Sequence, residues 1–226
     1  MQLSSFKARF LSISALIISI GILMSGPIGN LIVQLVHKQE AWNGVEEFIS
    51  SYSRVMSMPI AFGFLLVIGF ILFFASLYKT GNEDKRIFEI AGIMFCAIFG
   101  AIISLNYIIN VGYVPNVLDQ SGANIAFLTM SNPKSLAWVL EMFGYGFLGL
   151  ATGIVAPLFA KRGIQGVIRY LLILNAIISI LGAVVTAVNL SGVLSIYGMI
   201  GYYFWNLLIL IIMILVIIEF RFGLKR

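Results

Sequence analysis

The chain has 226 residues, of which 61% are hydrophobic and 10% are charged. Soluble globular domains carry about 25% charged residues, so this composition excludes an ordinary soluble domain and indicates a protein embedded in lipid. The formal net charge is +5, but the basic residues lie at the ends of apolar runs, which excludes the basic face of a nucleic-acid-binding protein. The single cysteine, Cys96, excludes an internal disulfide framework and a cysteine-rich zinc site.

Six apolar runs are long enough to cross a bilayer, because each reaches the roughly 20 residues that a spanning helix requires. They cover residues 10–36, 58–78, 87–111, 136–160, 170–189 and 194–220. The first run is too long for the apolar core of a cleaved signal peptide, so we predict that it is retained. The pattern predicts an all-α integral membrane protein, with one transmembrane domain over residues 1–226 built as a six-helix bundle.

The lysines and arginines predict the orientation of these helices. Eleven of the fourteen lie on one side of the predicted membrane, in the two termini and in the loops after the second and fourth spans. Only Lys38, Arg54 and Lys134 lie on the other side. Since cytoplasmic loops keep an excess of basic residues, we expect both termini in the cytoplasm (N-in, C-in) and the protein in a plasma membrane.

The first outer loop contains an amphipathic pattern. Asn43 and Glu46 fit the capping box of a helix start, and apolar residues then recur at helical spacing as far as Met56. We therefore predict a helix over residues 44–56 that lies on the outer interface or covers the bundle. The alternative is a helix that binds a partner membrane protein.

The second outer loop, residues 112–134, is long, and the helix that follows it is rich in glycine. An apolar patch predicts that this loop dips against the bundle, and Pro133 indicates the first turn of the fourth helix. Gly149 and Gly153 form a small-xxx-small pair, which predicts close packing against another helix. A hinge assisted by Pro157 is the alternative.

The chain resembles itself at an offset of 82 residues. The matching positions are Lys79, Gly81, Gly100, Ala101 and Ser104, which correspond to Lys161, Gly163, Gly182, Ala183 and Thr186. Each copy starts from a Lys-x-Gly turn, so the pattern predicts a parallel duplication in which helices 2 and 3 correspond to helices 4 and 5. The alternative is chance, because glycine and alanine are common in membrane helices.

Among the acidic residues in the predicted spans, Glu141 lies furthest from the cytoplasmic end of its helix. It lies about 12 Å along the fourth helix from Pro133 at 1.5 Å per residue, which is inside the hydrocarbon. A charged side chain at this depth requires an internal partner or a wet cavity. Glu89 and Glu219 lie at cytoplasmic ends, where salt bridges and snorkelling account for them.

Other polar side chains lie at a similar depth, near the outer ends of the helices. The candidate ligand-binding or proton-carrying residues are therefore Glu141, Asn30, Gln34, Asn106, Asn110, Tyr145, Asn189, Tyr202 and Asn206. One interpretation is an outward-facing polar cavity with Glu141 as counter-ion or proton carrier. The other is that the amides and tyrosines hydrogen-bond between helices and only stabilise their packing.

The sequence lacks the residues of several membrane enzymes. His37 is the single histidine, which excludes bis-histidine haem ligation and multi-histidine metal sites. We therefore expect no cofactor and no metal, and we assign no catalytic residue. Three functions stay open: binding or transport of a small solute or lipid, an accessory or scaffold subunit of a membrane complex, and an intramembrane enzyme that uses Glu141 as acid or base.

Residues 131–157 resemble a segment of small uncharacterised prokaryotic six-helix membrane proteins. The residues that carry the resemblance are Ser131, Asn132 and Pro133, Ala137 and Trp138, Glu141 and Met142, Gly144 and Tyr145, and Phe147 to Thr152. The resemblance implies a prokaryotic plasma membrane. It implies no activity.

Overall fold

The computed structural model describes residues 3–38, 41–81, 83–119 and 122–222. Within these ranges the chain is helical and has no β-strand. The α-helices are α1 (Ser5–Ser25), α2 (Pro27–Val36), α3 (Val45–Ser51), α4 (Met58–Ser76), α5 (Arg86–Ile108), α6 (Gly122–Leu128), α7 (Leu136–Val155), α8 (Gly163–Val188) and α9 (Ile196–Ile217). Short 3-10 and π turns extend several of them.

Six helical segments of the described chain are long and apolar enough to cross a membrane. They are Ser5–Val36, Arg54–Ser76, Glu83–Asn116, Leu136–Leu158, Gly163–Val188 and Ile196–Arg221. They correspond to the six predicted spans, so the chain is a polytopic membrane protein. Pro27 divides the first span into α1 and α2, because proline has no amide hydrogen to donate to the Leu23 carbonyl. α8 begins earlier than predicted because the helix continues through Gln165 and Arg169, outside the apolar run.

The spanning helices pack in chain order, and α9 returns to α1. Aromatic rings meet inside the bundle. Ring centroids are 5.8 Å apart for Phe70 and Phe99, 5.5 Å for Phe99 and Tyr145, and 4.7 Å for Tyr145 and Trp205. Rings of this size, contributed by α4, α5, α7 and α9, fill the centre of the bundle at this level.

Small residues form the contact between α7 and α8. A Cβ atom at Gly149 would lie 2.8 Å from the Cβ atom of Ser179 and 3.1 Å from the carbonyl oxygen of Ala176. A Cβ atom at Gly153 would lie 2.8 Å from the Cβ atom of Ala176. The small-xxx-small pair therefore lies at a helix contact that is too close for a larger residue.

The two ends of the bundle differ, and we name them by what they carry. At the basic end, the Lys7 ammonium donates hydrogen bonds to the carbonyl oxygens of Tyr78 and Lys79, and the Lys85 ammonium donates to the carbonyl oxygen of Pro157 at 3.2 Å. These contacts bring the start of α1 together with the loops after α4 and α7. The opposite end, which carries α3 and α6, is the cap end.

At the cap end, α3 and α6 pack together around Phe48, Val114 and Ile125. The helix predicted over residues 44–56 is shorter than expected, because α3 ends at Ser51 and a separate 3-10 turn precedes α4. Apolar residues of α3, among them Val45 and Ile49, pack against this cluster.

Two predicted helix starts are wrong, the first by one residue and the second by three. The Asn43 amide donates to the Glu47 carboxylate at 2.7 Å, so the predicted capping box with Glu46 is not formed. α7 begins at Leu136 and not at Pro133, because the residues before it form hydrogen-bonded turns.

The two loops that the predicted duplication equates have different backbones. The left-handed residue is Lys79 (φ 55°) in one loop and Gly163 (φ 65°) in the other, and these positions do not correspond at the offset of 82. α8 starts at Gly163, whereas α5 starts at Arg86 after a 3-10 turn. The duplication stays a prediction.

Candidate functional site

Glu141 lies on α7 inside the bundle, with 8% of its surface exposed. Asn106 Nδ2 donates a hydrogen bond to Glu141 Oε2 at 3.0 Å, and the Tyr107 hydroxyl donates to Oε1 at 3.0 Å. Tyr145 lies one helical turn after Glu141, and its hydroxyl oxygen is 3.2 Å from that of Tyr107. We call these four residues the Glu141 cluster.

Asn106 links the cluster to the start of α7. Its Nδ2 also donates to the carbonyl oxygen of Ala137 at 3.1 Å, and its own carbonyl oxygen accepts from Asn110 Nδ2 at 3.0 Å. Tyr107 is absent from the predicted candidates. The feature of the sequence that could have identified Tyr107 is its position directly after Asn106 in the same span.

The cluster is covered towards the cap end by residues 128–138, which we call the closing segment. Asn110 Nδ2 donates to the carbonyl oxygen of Leu128 at 3.2 Å, and Asn110 Oδ1 accepts from the amide of Met130 at 2.9 Å. Trp138 Nε1 donates to the Met130 carbonyl at 2.8 Å. The second loop of the cap end therefore does dip against the bundle, and Asn110, in the π turn that follows α5, holds it there.

No cation balances Glu141 within the part of the chain that the structure describes. The salt bridge found there joins Arg86 to Glu83 at the basic end, and no group of three or more metal-binding side chains occurs among these residues. Both oxygens of Glu141 accept from neutral donors instead. The burial of a carboxyl in this setting is offset by hydrogen-bond donors, by a proton or by a cationic ligand.

Three other candidates form a second group between α2 and α9. Asn30 Nδ2 donates to the Tyr202 hydroxyl at 3.1 Å, and Asn206 Nδ2 donates to the Tyr202 carbonyl at 2.7 Å. Gln34 and Asn189 are exposed and belong to neither group. Tyr202 also interacts electrostatically with Glu141 and Tyr145, so this second group lies beside the Glu141 cluster.

A further polar network, not predicted as a site, lies closer to the basic end than Glu141. Asn175 Nδ2 donates to Thr152 Oγ1 at 2.9 Å, Ser179 Oγ donates to Asn175 Oδ1 at 3.4 Å, and Trp205 Nε1 donates to Ser179 Oγ at 3.2 Å. These bonds join α7, α8 and α9 with the geometry of interhelical packing contacts.

Glu89 is buried, with 1% of its surface exposed, and this differs from the salt bridge or snorkelling position expected for it. Its carboxylate accepts from the backbone amides of Lys79 at 2.8 Å, Thr80 at 2.9 Å and Gly81 at 2.6 Å. The turn between α4 and α5 folds back over α5. The position of Glu89 along the sequence gives its depth in the membrane but does not reveal this fold. Glu89 therefore stabilises this turn.

Two of the cavities in the described part of the chain lie outside the Glu141 cluster. One, of about 20 Å³, lies beside α3 and is lined by His37, Trp42 and Glu47 among others. A cavity of this volume holds about one water molecule. The other, of about 120 Å³, lies between the Pro27 break and α9.

No protein-family model, curated protein or solved structure matches this chain. The candidate site therefore rests on the chain's own geometry. That geometry is a buried carboxyl on α7, bonded by two neutral donors of α5 and covered by the closing segment.

Proposed function

We propose that this protein binds and moves a small solute or lipid through a polar site that opens towards the cap end. In this proposal Glu141 exchanges a proton or holds a cationic part of the solute. The observation that carries it is the burial of the Glu141 carboxyl among neutral donors, without a cation beside it in the described chain. Ionisable residues inside membrane spans are costly, and they characteristically belong to ion, proton or solute pathways.

The Glu141 cluster accommodates both forms of the carboxyl. As a carboxylate, Glu141 accepts hydrogen bonds from Asn106 and Tyr107. As a neutral acid, it donates to Tyr107 while Tyr107 donates to Tyr145, because either phenol can be the donor in their 3.2 Å contact. The carboxyl therefore changes between these two forms by rotation of hydroxyl groups, without repacking of the helices.

Access to the site requires the closing segment to move. Its bonds to Asn110 join neutral groups, and each such bond contributes about 0.5–1.5 kcal/mol net. Breaking them uncovers Asn106, Asn110 and Glu141, which then line the predicted outward-facing cavity. The two conformations are thus separated by a few hydrogen bonds and by the apolar contacts of α6.

The orientation that we propose is N-in, C-in, in a prokaryotic plasma membrane. The excess of lysine and arginine at the basic end favours the cytoplasm for that end, and the cap end then faces outside, with α3 at the outer interface. The parallel duplication of helices 2–3 and 4–5 belongs to the same proposal and rests on the matching residues alone.

The role of Glu141 is tested by infrared difference spectroscopy of the protein in lipid vesicles during a pH step. We expect a change in the carboxylic acid C=O band that is missing in Glu141→Gln. The matched control is Glu46→Gln, since Glu46 is an exposed acid on α3. An identical band in wild type and Glu141→Gln contradicts proton exchange at this residue.

Transport is tested separately with proteoliposomes and two probe sets, small organic ammonium ions and neutral amphiphiles of matched size. We expect uptake of one set by the wild type, with at least a tenfold loss in Glu141→Gln and no loss in Glu46→Gln. Absence of uptake, together with copurification of a stoichiometric partner in mild detergent, supports the scaffold alternative instead.

A further inference from the structure

The start of α7 carries a buried hydroxyl group that has no partner. Ser135 is the N-cap residue of this helix, with 0% of its surface exposed. Its Oγ makes no hydrogen bond within the part of the chain that the structure describes. An N-cap serine characteristically accepts from an amide of the first helical turn, as Ser195 does at the start of α9, where its Oγ accepts from the Gly198 amide at 3.2 Å. The start of α7 lacks such a cap.

The backbone amides of the same turn are also without acceptors. Among the described residues, no side chain caps them and no carbonyl outside the helix accepts from Leu136, Ala137 or Trp138. The first amides of an α-helix have no partner inside the helix, and they carry the positive end of its dipole. These amides and the Ser135 hydroxyl are thus donors grouped at one helix end. Such a group of donors selects an anion.

The charge beside this turn has the same sign. Lys134 directly precedes Ser135, and its side chain is exposed. The salt bridge of the described chain lies elsewhere, between Arg86 and Glu83, so no carboxylate there neutralises Lys134. A lysine next to unpaired donors raises the affinity of the turn for a negatively charged group.

The same turn borders the Glu141 cluster. The Ala137 carbonyl oxygen accepts from Asn106 Nδ2 at 3.1 Å, and that nitrogen also donates to Glu141 Oε2 at 3.0 Å. Ser135 precedes Glu141 by six residues, which is about 9 Å along the helix axis. Donors for an anion and an acceptor for a cation therefore lie about 9 Å apart on one helix.

We propose that the first turn of α7 binds an oxyanion, and that the solute of this protein is zwitterionic. The carboxylate or phosphate of the solute accepts from the Ser135 hydroxyl and the first-turn amides, while its cationic group lies at Glu141. This inference rests on the proposed function, because it names the solute class for the same site. Release of Leu128 and Met130 from Asn110 gives the solute access to both ends. Each charge that leaves water then gains an oppositely polarised partner.

The test is a binding titration by fluorine NMR on the full chain, labelled with fluorotryptophan in maltoside micelles, which contain no phosphate. Trp138 lies in the first turn of α7, and Trp138→Phe assigns its signal. The probes are ε-aminocaproate, its amide, which lacks the anion, and its N-acetyl derivative, which lacks the cation. We expect a saturable shift of the Trp138 signal, with ε-aminocaproate bound at least tenfold more tightly than either analogue.

Ser135→Ala should weaken the binding of both carboxylate probes about tenfold or more, as expected for a hydrogen bond to a charged group. Binding of the amide should stay unchanged. The variant should fold like the wild type, because the hydroxyl has no partner in the unliganded protein. Ser195→Ala is the matched control, since this N-cap hydroxyl already has an amide partner. It should alter the binding of no probe.

Glu141→Gln separates this inference from the proposed function. It should weaken only the two probes that carry an ammonium group and leave the N-acetyl derivative unchanged. Equal affinity of the carboxylate probes for wild type and Ser135→Ala overturns the inference, as does a Trp138 signal that responds neither to them nor to inorganic phosphate. A shift that depends on Ser135, is caused by phospholipid and is not displaced by ε-aminocaproate assigns the site to a lipid headgroup, which overturns the zwitterionic solute.

Discussion

Gly63 on α4 lies so close to Tyr107 on α5 that a Cβ atom at Gly63 would be 2.3 Å from Cε2 of the tyrosine ring. Phe64 packs edge-on against the same ring, with centroids 5.8 Å apart. Because the Tyr107 hydroxyl donates to Glu141, the missing side chain at Gly63 helps to fix the donor's position. A residue of α4 that has no side chain thus shapes the Glu141 cluster.

The first prediction concerns Gly63→Ala. The added methyl group must displace the Tyr107 ring, and overpacking of this kind costs about 1–3 kcal/mol. We expect a lower free energy of unfolding in mixed micelles and a shifted or weakened infrared C=O response from Glu141.

Gly201→Ala is the control for this substitution. Gly201 is also a helical glycine, but a Cβ atom there meets nothing within 4 Å. This variant should be as stable as the wild type or slightly more stable, because alanine favours the helix. Equal effects of the two substitutions would refute the steric role of Gly63.

A second prediction concerns the hydroxyl of Tyr107. Tyr107→Phe keeps the ring and removes the donor to Glu141, so we expect destabilisation of about 1–3 kcal/mol. Combining it with Glu141→Gln in a double-mutant cycle should give a coupling energy of about 0.5–3 kcal/mol, as for residues in direct contact. Tyr113→Phe, at an exposed tyrosine near the end of the same span, should show neither effect.

The fold and the site differ in how far the sequence predicts them. Six spans follow from apolar run length, because each helix must cross the same hydrocarbon thickness. Side-chain contacts between different helices cannot be predicted in this way. The depth of a residue in the membrane does not tell in which direction its side chain points around the helix axis. Depth grouped Gln34 and Asn189 with Glu141, although both are exposed.

Directions around an axis are set by packing between helices that are far apart in sequence. Tyr107 reaches Glu141 because α5 and α7 pack side by side. Likewise, Glu89 reaches the amides of the preceding turn because that turn folds back over α5. Neither contact can be predicted from the spacing of the two residues in the sequence.

The third prediction concerns the closing segment. Asn110→Ala removes the acceptor for the Met130 amide and the donor to the Leu128 carbonyl. Opening of the segment should become easier by about 1–3 kcal/mol, so exchange of the Met130 amide with deuterium should accelerate about tenfold or more.

Asn189→Ala is the control, since Asn189 is an exposed asparagine at the end of α8, away from these bonds. It should leave exchange at Met130 unchanged. An unchanged rate in Asn110→Ala would mean that the apolar contacts of α6, and not Asn110, hold the closing segment.

The last prediction concerns Glu89 and the turn at the basic end. The two carboxylate oxygens of Glu89 accept hydrogen bonds from three backbone amides. A glutamine has only one acceptor oxygen, so its NH₂ group would face at least one of these amide donors. Glu89→Gln should therefore destabilise the protein by about 1–3 kcal/mol, the range for buried groups left without partners. Deuterium exchange should accelerate at Thr80 and Gly81.

Glu83→Gln makes the same chemical change three residues from Arg86, at a side chain that is 81% exposed. Exposed ion pairs contribute little to stability, so this variant should unfold like the wild type and keep the protected amides at Thr80 and Gly81. Similar losses in both variants would indicate a general effect of charge at the basic end. A loss confined to Glu89→Gln indicates that its carboxylate holds the turn through the backbone amides.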